Sequence, residues 1–147
     1  MLSKKTKYGL QALIYLAKEY QKGPVLIAYL ANKEKIPQKF LESILLELKN
    51  RGILQSKKGK GGGYALGKPP KHIAMGEVIR ILEGPLAPVS CVSQTAYQHC
   101  DECKDEKTCG SHIVMKDVRE AMADILDNTS LTDVLNKVRH VKSGGGS

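Results

Sequence analysis

The sequence predicts a mainly α-helical fold with a single small β-hairpin. Three observations support this fold class. Apolar residues recur at helical spacing through most of the chain, Gly or Pro closes the main helical stretches, and two short β-forming runs (53–54 and 64–66) flank a loop of Lys and Gly. With 147 residues, the chain has the length of one domain or of a small domain with an extension.

Three helices are predicted in the first third of the chain. The first covers 6–21 and is stopped by Gly23 and Pro24, and the second is short and is followed by a turn at 32–35. The third starts near Pro37 and ends at Gly52. Its predicted buried stripe consists of Phe40, Leu41, Ile44, Leu45 and Leu48.

A hairpin with a basic, glycine-rich tip follows the third helix. Helix, helix, turn, helix and then a basic hairpin is the element order of a winged helix-turn-helix. Further helices are predicted over 75–83, 112–128 and 131–138. We therefore expect a winged helix-turn-helix over 1–73, then a connecting helix, a cysteine-rich segment and a long helix within 74–142. A flexible tail is expected over 143–147.

The long helix carries a broad apolar face that little of the remaining chain can cover. A second subunit is the simplest cover, which would make this a long C-terminal dimerisation helix. The alternative is that it packs back on 1–21. The face consists of Ile113, Val114, Val118, Ala121, Met122 and Ile125, extended by Met115 and Leu126.

The charge of the chain is concentrated in its first half. Residues 1–73 contain 15 Lys and Arg against 4 Asp and Glu, whereas 74–147 contain 8 against 11, within a net charge of +8. Such a surplus favours a polyanion partner, above all double-stranded DNA.

No apolar run approaches the roughly 18 residues of a membrane span. Lys18 and Glu19 follow the basic N-terminus too soon for a signal peptide, so we expect a cytoplasmic protein without membrane contact.

The third helix and the hairpin provide the candidate DNA contacts. In a helix-turn-helix the start of the third helix faces base edges, where Gln can pair with adenine and Glu42 can accept from cytosine. Alternatively, Glu42 is an ordinary surface residue. The lysines would bind phosphates, and the glycines would let the chain lie close to the duplex. The predicted contact set is Lys4, Lys5, Thr6, Lys7, Gln38, Lys39, Glu42, Ser43, Ser56, Lys57, Lys58, Gly59, Lys60, Gly61, Gly62 and Tyr64.

The glycine-rich hairpin does not have the pattern of a nucleotide-binding loop. GKGGGY lacks the spacing of G-x-x-x-x-G-K-[ST] and of G-x-G-x-x-G, and it does not open a helix. No Ser/His/Asp or Cys/His arrangement with an apolar pocket can be argued either. We therefore do not expect an enzyme.

Three segments resemble the Rrf2 group of bacterial transcription regulators: KTKYGLQALIYLA, PQKFLESILLELKNRGILQSKKGKGGGYAL and MGEVIRILEGPLAPV. The likeness runs from about residue 2 to 135, and the F-L-E-x-I-L-x-x-L helix with a GGY wing is its most distinctive part. The resemblance implies a homodimer on a partly palindromic operator, with subunits crossing through the long C-terminal helix. It also links the position of Glu42 to operator discrimination.

All four cysteines lie within nineteen residues of a polar segment, spaced Cys-x8-Cys-x2-Cys-x5-Cys. The segment has few apolar side chains besides its thiols, so we expect it to need a cross-link to become ordered. Disulfides, structural zinc, a thiol redox pair and an iron–sulfur cluster are the alternatives. A single CxxC, Cys100 to Cys103, gives zinc moderate support. His99 is interpreted as a surface residue.

The resemblance implies a ligand set for an iron–sulfur cluster. Cluster-sensing members of the IscR type end this region in Cys-x5-Cys-x2-His, which Cys103, Cys109 and His112 match, and Cys91 matches the first cysteine. Cys100 is an extra cysteine and offers an all-thiolate alternative. Nitric-oxide-sensing relatives use an acidic ligand near the N-terminus, where this chain has Tyr8.

The expected function is that of a dimeric winged-helix transcription regulator whose operator binding is controlled by an iron–sulfur cluster, with two or four irons, or by the redox state of its cysteines. The alternatives are the same fold with structural zinc or a thiol switch. A further alternative is control by a partner protein without any cluster.

Overall fold

The computed structural model describes residues 2–88, 90–94, 97–99, 105 and 107–144. The helices are α1 (Lys4–Lys18), α2 (Ile27–Glu34), α3 (Gln38–Asn50), α4 (Met75–Leu82), α5 (Gly110–Asp127) and α6 (Leu131–Ser143). The strands are β1 (Leu54–Lys57) and β2 (Gly63–Leu66), and 3₁₀ turns occupy Pro70–His72 and Ser90–Val92. The predicted mainly α fold with a small β wing is confirmed.

Local signals explain most helix ends. Ser3 caps α1 by accepting a hydrogen bond from the Thr6 amide at 3.3 Å. α2 runs to Glu34, so the predicted turn at 32–35 is wrong; the helix ends where Lys35 adopts a left-handed conformation with φ 56°.

Ser130 and Asp133 form a capping box at the start of α6. α6 then continues to Ser143, beyond the predicted end at 138, because no Gly or Pro interrupts it before Gly144.

One aliphatic core joins the first three helices to α4 and α6. Leu41, Ile44, Leu45 and Leu48 are completely buried, as the helical spacing predicted. Phe40, however, is 38% exposed, so its place in the buried stripe is wrong. The core also contains Leu13, Leu16, Leu30, Ile53, Ile73, Val78 and Leu131.

The wing is tied to the helical part of the molecule by a third strand-like segment. β1 and β2 are antiparallel, with Leu54 opposite Leu66 and Lys57 opposite Gly63. On the other edge of β2, the Val25 and Tyr64 amides each donate to the other residue's carbonyl at 2.8 Å. Both edges of β2 are therefore paired, and the wing base is fixed to the start of α2.

The C-terminal helices pack on different partners. α6 packs on α1, and the fully buried Leu131 joins the core. α5 packs on α4 and on the 3₁₀ turn 90–92. The alternative in which the long helix covers 1–21 is therefore wrong, since α6 occupies that place.

Across the described ranges, no helix combines the length and apolar character needed to cross a membrane.

Candidate DNA-binding surface and sensor segment

The first turns of α3 present a polar face to solvent. Gln38, Lys39, Glu42 and Ser43 are all exposed. The Ser43 hydroxyl donates to the carbonyl of Phe40 at 2.9 Å, so the helix itself satisfies its donor. The structure thus brings the four predicted base-reading residues together on one face at the start of α3.

The start of α1 adds exposed lysines without any acidic residue in its first turn. Lys4 and Lys7 are exposed. Cations at a helix N-terminus oppose the helix dipole, so helix stability does not explain them. Lys5 instead forms an ion pair with Glu47 of α3 at 2.7 Å. This half-exposed pair joins α1 to α3 and is worth at most about 1 kcal/mol.

Thr6, one of the predicted DNA contacts, lies in the interior of the protein. Its side chain is completely buried, and its hydroxyl donates to Glu83 Oε2 at 2.5 Å. The Ser3 hydroxyl and amide donate to the same oxygen at 2.7 and 3.0 Å. These hydrogen bonds, led by that of Thr6, lower the pKa of Glu83 to about 2. Thr6 therefore fastens α1 to the end of α4.

The wing tip carries three exposed lysines. Lys57, Lys58 and Lys60 form no ion pair with any residue in the described part of the chain. Gly59 and Gly61 have φ of 90° and 76°, conformations that favour glycine, and both are exposed. The tip is therefore a compact turn with its positive charges directed into solvent.

Three other predicted contact residues of the wing are buried or half-buried. Gly62, a predicted DNA contact, is buried, and a Cβ there would lie 2.2 Å from the Lys57 carbonyl oxygen, so the turn itself requires glycine at this position. Tyr64 is half-buried, packs against the core and pairs with Val25. Ser56 lies opposite Tyr64 and is also half-buried.

An aromatic pair that the sequence did not reveal lies beside the reading face. The rings of Tyr8 in α1 and Phe40 in α3 meet edge to face, with 5.6 Å between centroids and an angle of 82°. Phe40 thereby fixes the start of α3 against α1 while remaining partly exposed. No periodicity signal marks this contact, because Phe40 lies off the buried stripe.

The described part of the cysteine segment converges on the start of α5. Cys91, in the 3₁₀ turn, is half-buried, and its sulfur lies 3.4 Å from His112 Nδ1 in the first turn of α5. Cys109 is the N-cap residue of the same helix. Cys100 and Cys103 lie outside the described residues. His99 is exposed, as predicted.

These three residues suit a soft metal or an iron–sulfur cluster. Two thiols and an imidazole are ligands that such groups use, and the start of a helix favours the negative charge of thiolates. Within the described ranges, no three His, Cys, Asp or Glu residues form a group that could hold a metal ion. The remaining two cysteines of the predicted sets fall outside those ranges.

α5 has two different faces. Met115, Arg119, Met122 and Leu126 are buried or half-buried, whereas Val114, Val118 and Ile125 are 55%, 39% and 66% exposed. The second set recurs at helical spacing, together with the exposed Ala121. The helix therefore keeps an uncovered apolar stripe along its length, which we call the α5 stripe.

A bidentate ion pair anchors the far end of α5. Arg80 of α4 donates to both carboxylate oxygens of Asp127, at 2.5 and 2.9 Å. These bonds lower the pKa of Asp127. Gly76 makes room for them, since a Cβ there would lie 2.1 Å from the Asp127 carboxylate. Sequence reasoning missed this contact because the paired residues are 47 positions apart.

A model of the Rrf2 family, described as an iron-dependent transcriptional regulator, matches residues 2–137. The chain belongs to the Rrf2 family. An Rrf2-like HTH-type transcriptional regulator of Rhodobacter capsulatus is 38% identical over 138 residues, which are 92% of each chain. CymR of Bacillus subtilis is 33% identical over 90% of this chain and 88% of its own. IscR of Erwinia tasmaniensis is 30% identical over 92% and 78%.

Solved Rrf2-family structures share the fold. CymR, the global cysteine regulator of B. subtilis, superposes with a TM-score of 0.78 and 31% identity over 93% of this chain and 97% of its own. The IscR of T. potens has a TM-score of 0.75 and 27% identity over 94% and 88%. This Rrf2-family protein is thus a winged-helix, DNA-binding transcription regulator. Its named relatives are regulators and not enzymes, which confirms that prediction.

Proposed function

We propose that this Rrf2-family regulator binds a partly palindromic operator as a homodimer and that ligation of its cysteine segment, by an iron–sulfur cluster, controls operator affinity. The observation that carries the proposal is the contact between Cys91 and His112, 21 positions apart, beside the Cys109 cap of α5. This contact links the cysteine segment, which begins at Cys91, directly to α5, the helix that carries the α5 stripe.

DNA binding is assigned to three exposed groups of residues. Gln38, Lys39, Glu42 and Ser43 would face base edges, while the wing lysines and the first turn of α1 would contact phosphates. An acidic residue among so many lysines repels phosphate, so Glu42 suits base reading better than backbone contact. The phosphate contacts supply affinity, and α3 supplies sequence choice.

Dimerisation is assigned to the α5 stripe. Val114, Val118 and Ile125 would be buried by the same helix of a second subunit, which removes their apolar surface from water. Two copies of α3 would then face a two-fold symmetric operator. The position of α5 relative to α4 sets the spacing between these reading helices.

Cluster ligands would come from Cys91, Cys109 and either His112 with Cys103 or Cys100 with Cys103. An iron–sulfur cluster, when bound, supplies a centre whose charge and ligation change on oxidation. Ligation by Cys91 and Cys109 would hold the 90–92 turn against α5. When these ligands are released, the 90–92 turn would be held against α5 by its apolar contacts, chiefly those of the buried Val92.

A second candidate is control by the thiols themselves, or through a partner protein, without a metal. The similarity to CymR, named as a cysteine regulator, favours this alternative. Structural zinc at the same residues is the remaining variant. Metal content and colour distinguish control by a cluster, control without a metal, and structural zinc.

The test is purification without oxygen, followed by an absorption spectrum and by iron, sulfide and zinc analysis. We expect visible charge-transfer bands and stoichiometric iron and sulfide. His112→Ala should weaken or alter the bands if His112 is a ligand, whereas His99→Ala serves as the matched control. Colourless, iron-free protein would count against cluster control. Equal operator affinity of cluster-loaded and cluster-free protein, measured at one salt concentration, would also count against it.

A further inference from the structure

A polar cleft of about 570 Å³ lies between α4, the residues Pro85, Leu86 and Gln94, and the C-terminal half of α5. Its walls include Arg80, Gln94, Arg119, Asp124 and Asp127. The cleft borders the α5 stripe at Ala121, while Val114, Val118 and Ile125 of the stripe, the proposed base-reading residues and the candidate cysteine ligands do not line it. Its volume is that of typical small-molecule sites.

An incompletely satisfied buried cation forms part of this cleft. Arg119 is only 9% exposed, and its Nε has no hydrogen-bond partner among the residues that the structure describes. Among the described residues, its guanidinium has one ion-pair partner, the neighbouring Glu120 at 3.2 Å, whose side chain is 58% exposed. A buried guanidinium with so few acceptors is unfavourable unless another group accepts from it.

The other charged residues of the cleft indicate which charges a bound ligand must carry. Arg80 and Asp127 neutralise each other through their bidentate pair. The charges that remain in the cleft are one guanidinium, of Arg119, and two carboxylates, of Glu120 and Asp124. The two carboxylates are four residues apart and therefore lie on the same face of α5. A ligand with a carboxylate for Arg119 and an ammonium group for the two acids matches this arrangement. A simple anion would be repelled by both carboxylates.

We propose that this cleft binds a small zwitterion of the α-amino acid class, with its carboxylate on Arg119 and its ammonium group towards Glu120 and Asp124. Gln94 belongs to the segment that begins at Cys91, whereas Arg119, Glu120 and Asp124 belong to α5. A bound amino acid therefore bridges the sensor segment and α5. It acts as a second input to the regulator, independent of whether a metal is present.

Titration calorimetry of the full chain with the standard L-α-amino acids tests the proposal, with acetate and methylammonium as probes that carry one charge each. We expect at least one amino acid to bind and neither single-charge probe to do so. Arg119→Gln and Asp124→Asn should each weaken binding about tenfold or more. Asp117→Asn on the same helix and Arg139→Gln on α6 lie outside the cleft and should leave it unchanged.

Asp124 is exposed, so its variant tests the cleft even if Arg119→Gln fails to fold. Absence of binding by every amino acid would overturn the proposal, and so would equal affinity in wild type and Asp124→Asn. If Arg119→Gln weakens the dimer and no amino acid binds, a second copy of the chain fills the cleft, and the proposal is also overturned.

Discussion

The hydroxyl of Thr6, near the start of α1, donates a 2.5 Å hydrogen bond to the carboxylate of Glu83, directly after α4. Because Ser3 donates twice to the same oxygen, one carboxylate holds the first turn of the lysine-bearing helix against the helix that leads to the sensor segment. The start of α1 and the end of α4 are therefore joined through a single carboxylate.

Replacement of Glu83 by Gln should lower the stability of the protein in a pH-dependent way. Its pKa in the folded protein is about 2, below the ordinary value of 4.5, so the carboxylate stabilises the fold above about pH 4.5. This contribution is lost as the pH falls from about 4.5 to about 2. Thermal unfolding of both proteins across this range should show a Tm difference at neutral pH that shrinks on acidification. Glu42→Gln, an exposed control, should show no such trend.

Glu42→Ala should relax the choice of operator. Removal of a carboxylate that accepts from a base removes discrimination at one position, at about 1–3 kcal/mol per base pair. The measurement is the affinity for the operator and for single-base variants of it. If Glu42 is only a surface residue, the ranking of these sequences will not change.

Lys58→Ala should weaken binding to all DNA sequences alike. Loss of one phosphate contact reduces the slope of log affinity against log salt by about 0.9. Fluorescence anisotropy over a salt series measures this slope. Lys142→Ala, an exposed lysine of α6, provides the control. An unchanged slope for Lys58→Ala would remove the wing tip from the phosphate-binding surface.

Val118→Glu should dissociate the dimer. The change places a charge in the middle of the α5 stripe, which a second subunit could bury only at a large desolvation cost, so we expect dimer affinity to fall about tenfold or more. Sedimentation velocity measures the effect. Lys116→Glu, on the opposite side of α5, is the matched control. A wild-type chain that is monomeric at all concentrations contradicts the assignment.

Gly63→Ala should destabilise the wing more than Gly61→Ala. Gly61 has φ 76° and open space around it, so alanine there costs only strain of about 1–2 kcal/mol. At Gly63 a Cβ would also lie 2.2 Å from the Val25 carbonyl oxygen, which adds at least about 1 kcal/mol for displaced backbone. Chemical denaturation of both variants gives the comparison, and equal losses would refute the role of the Val25 contact.

Helical periodicity was sufficient to predict the helices and most of the core. Leu41, Ile44, Leu45 and Leu48 are buried because a 3.6-residue repeat places them on one side of α3. The same reasoning failed for Phe40, because an aromatic ring next to the stripe can pack against a neighbouring helix at the edge of the core. The end of α2 was predicted too early, because the helix continues through the polar residues 32–34 and ends only where Lys35 takes a left-handed conformation.

The exposure of candidate site residues was predictable where they are charged, whereas contacts with partners distant in sequence were not. The wing lysines are exposed, as their position in a basic hairpin predicted, and their contact with DNA stays a prediction. Thr6 could not be separated from its lysine neighbours, because its acceptor lies 77 positions away. For the same reason neither the Arg80–Asp127 pair nor the incompletely paired Arg119 could be predicted from local patterns.

The pairing of β2 on both edges has a consequence for how relatives of this protein could diverge. Tyr64 holds the hairpin base in place through Val25, whereas the exposed residues 58–61 form no backbone hydrogen bond to another element in the part of the chain that the structure describes. Changes in the length or charge of that turn therefore leave the framework intact. Under the proposed phosphate contacts, evolution or a protein engineer can adjust the attraction to nucleic acid at this turn while α3 keeps its orientation.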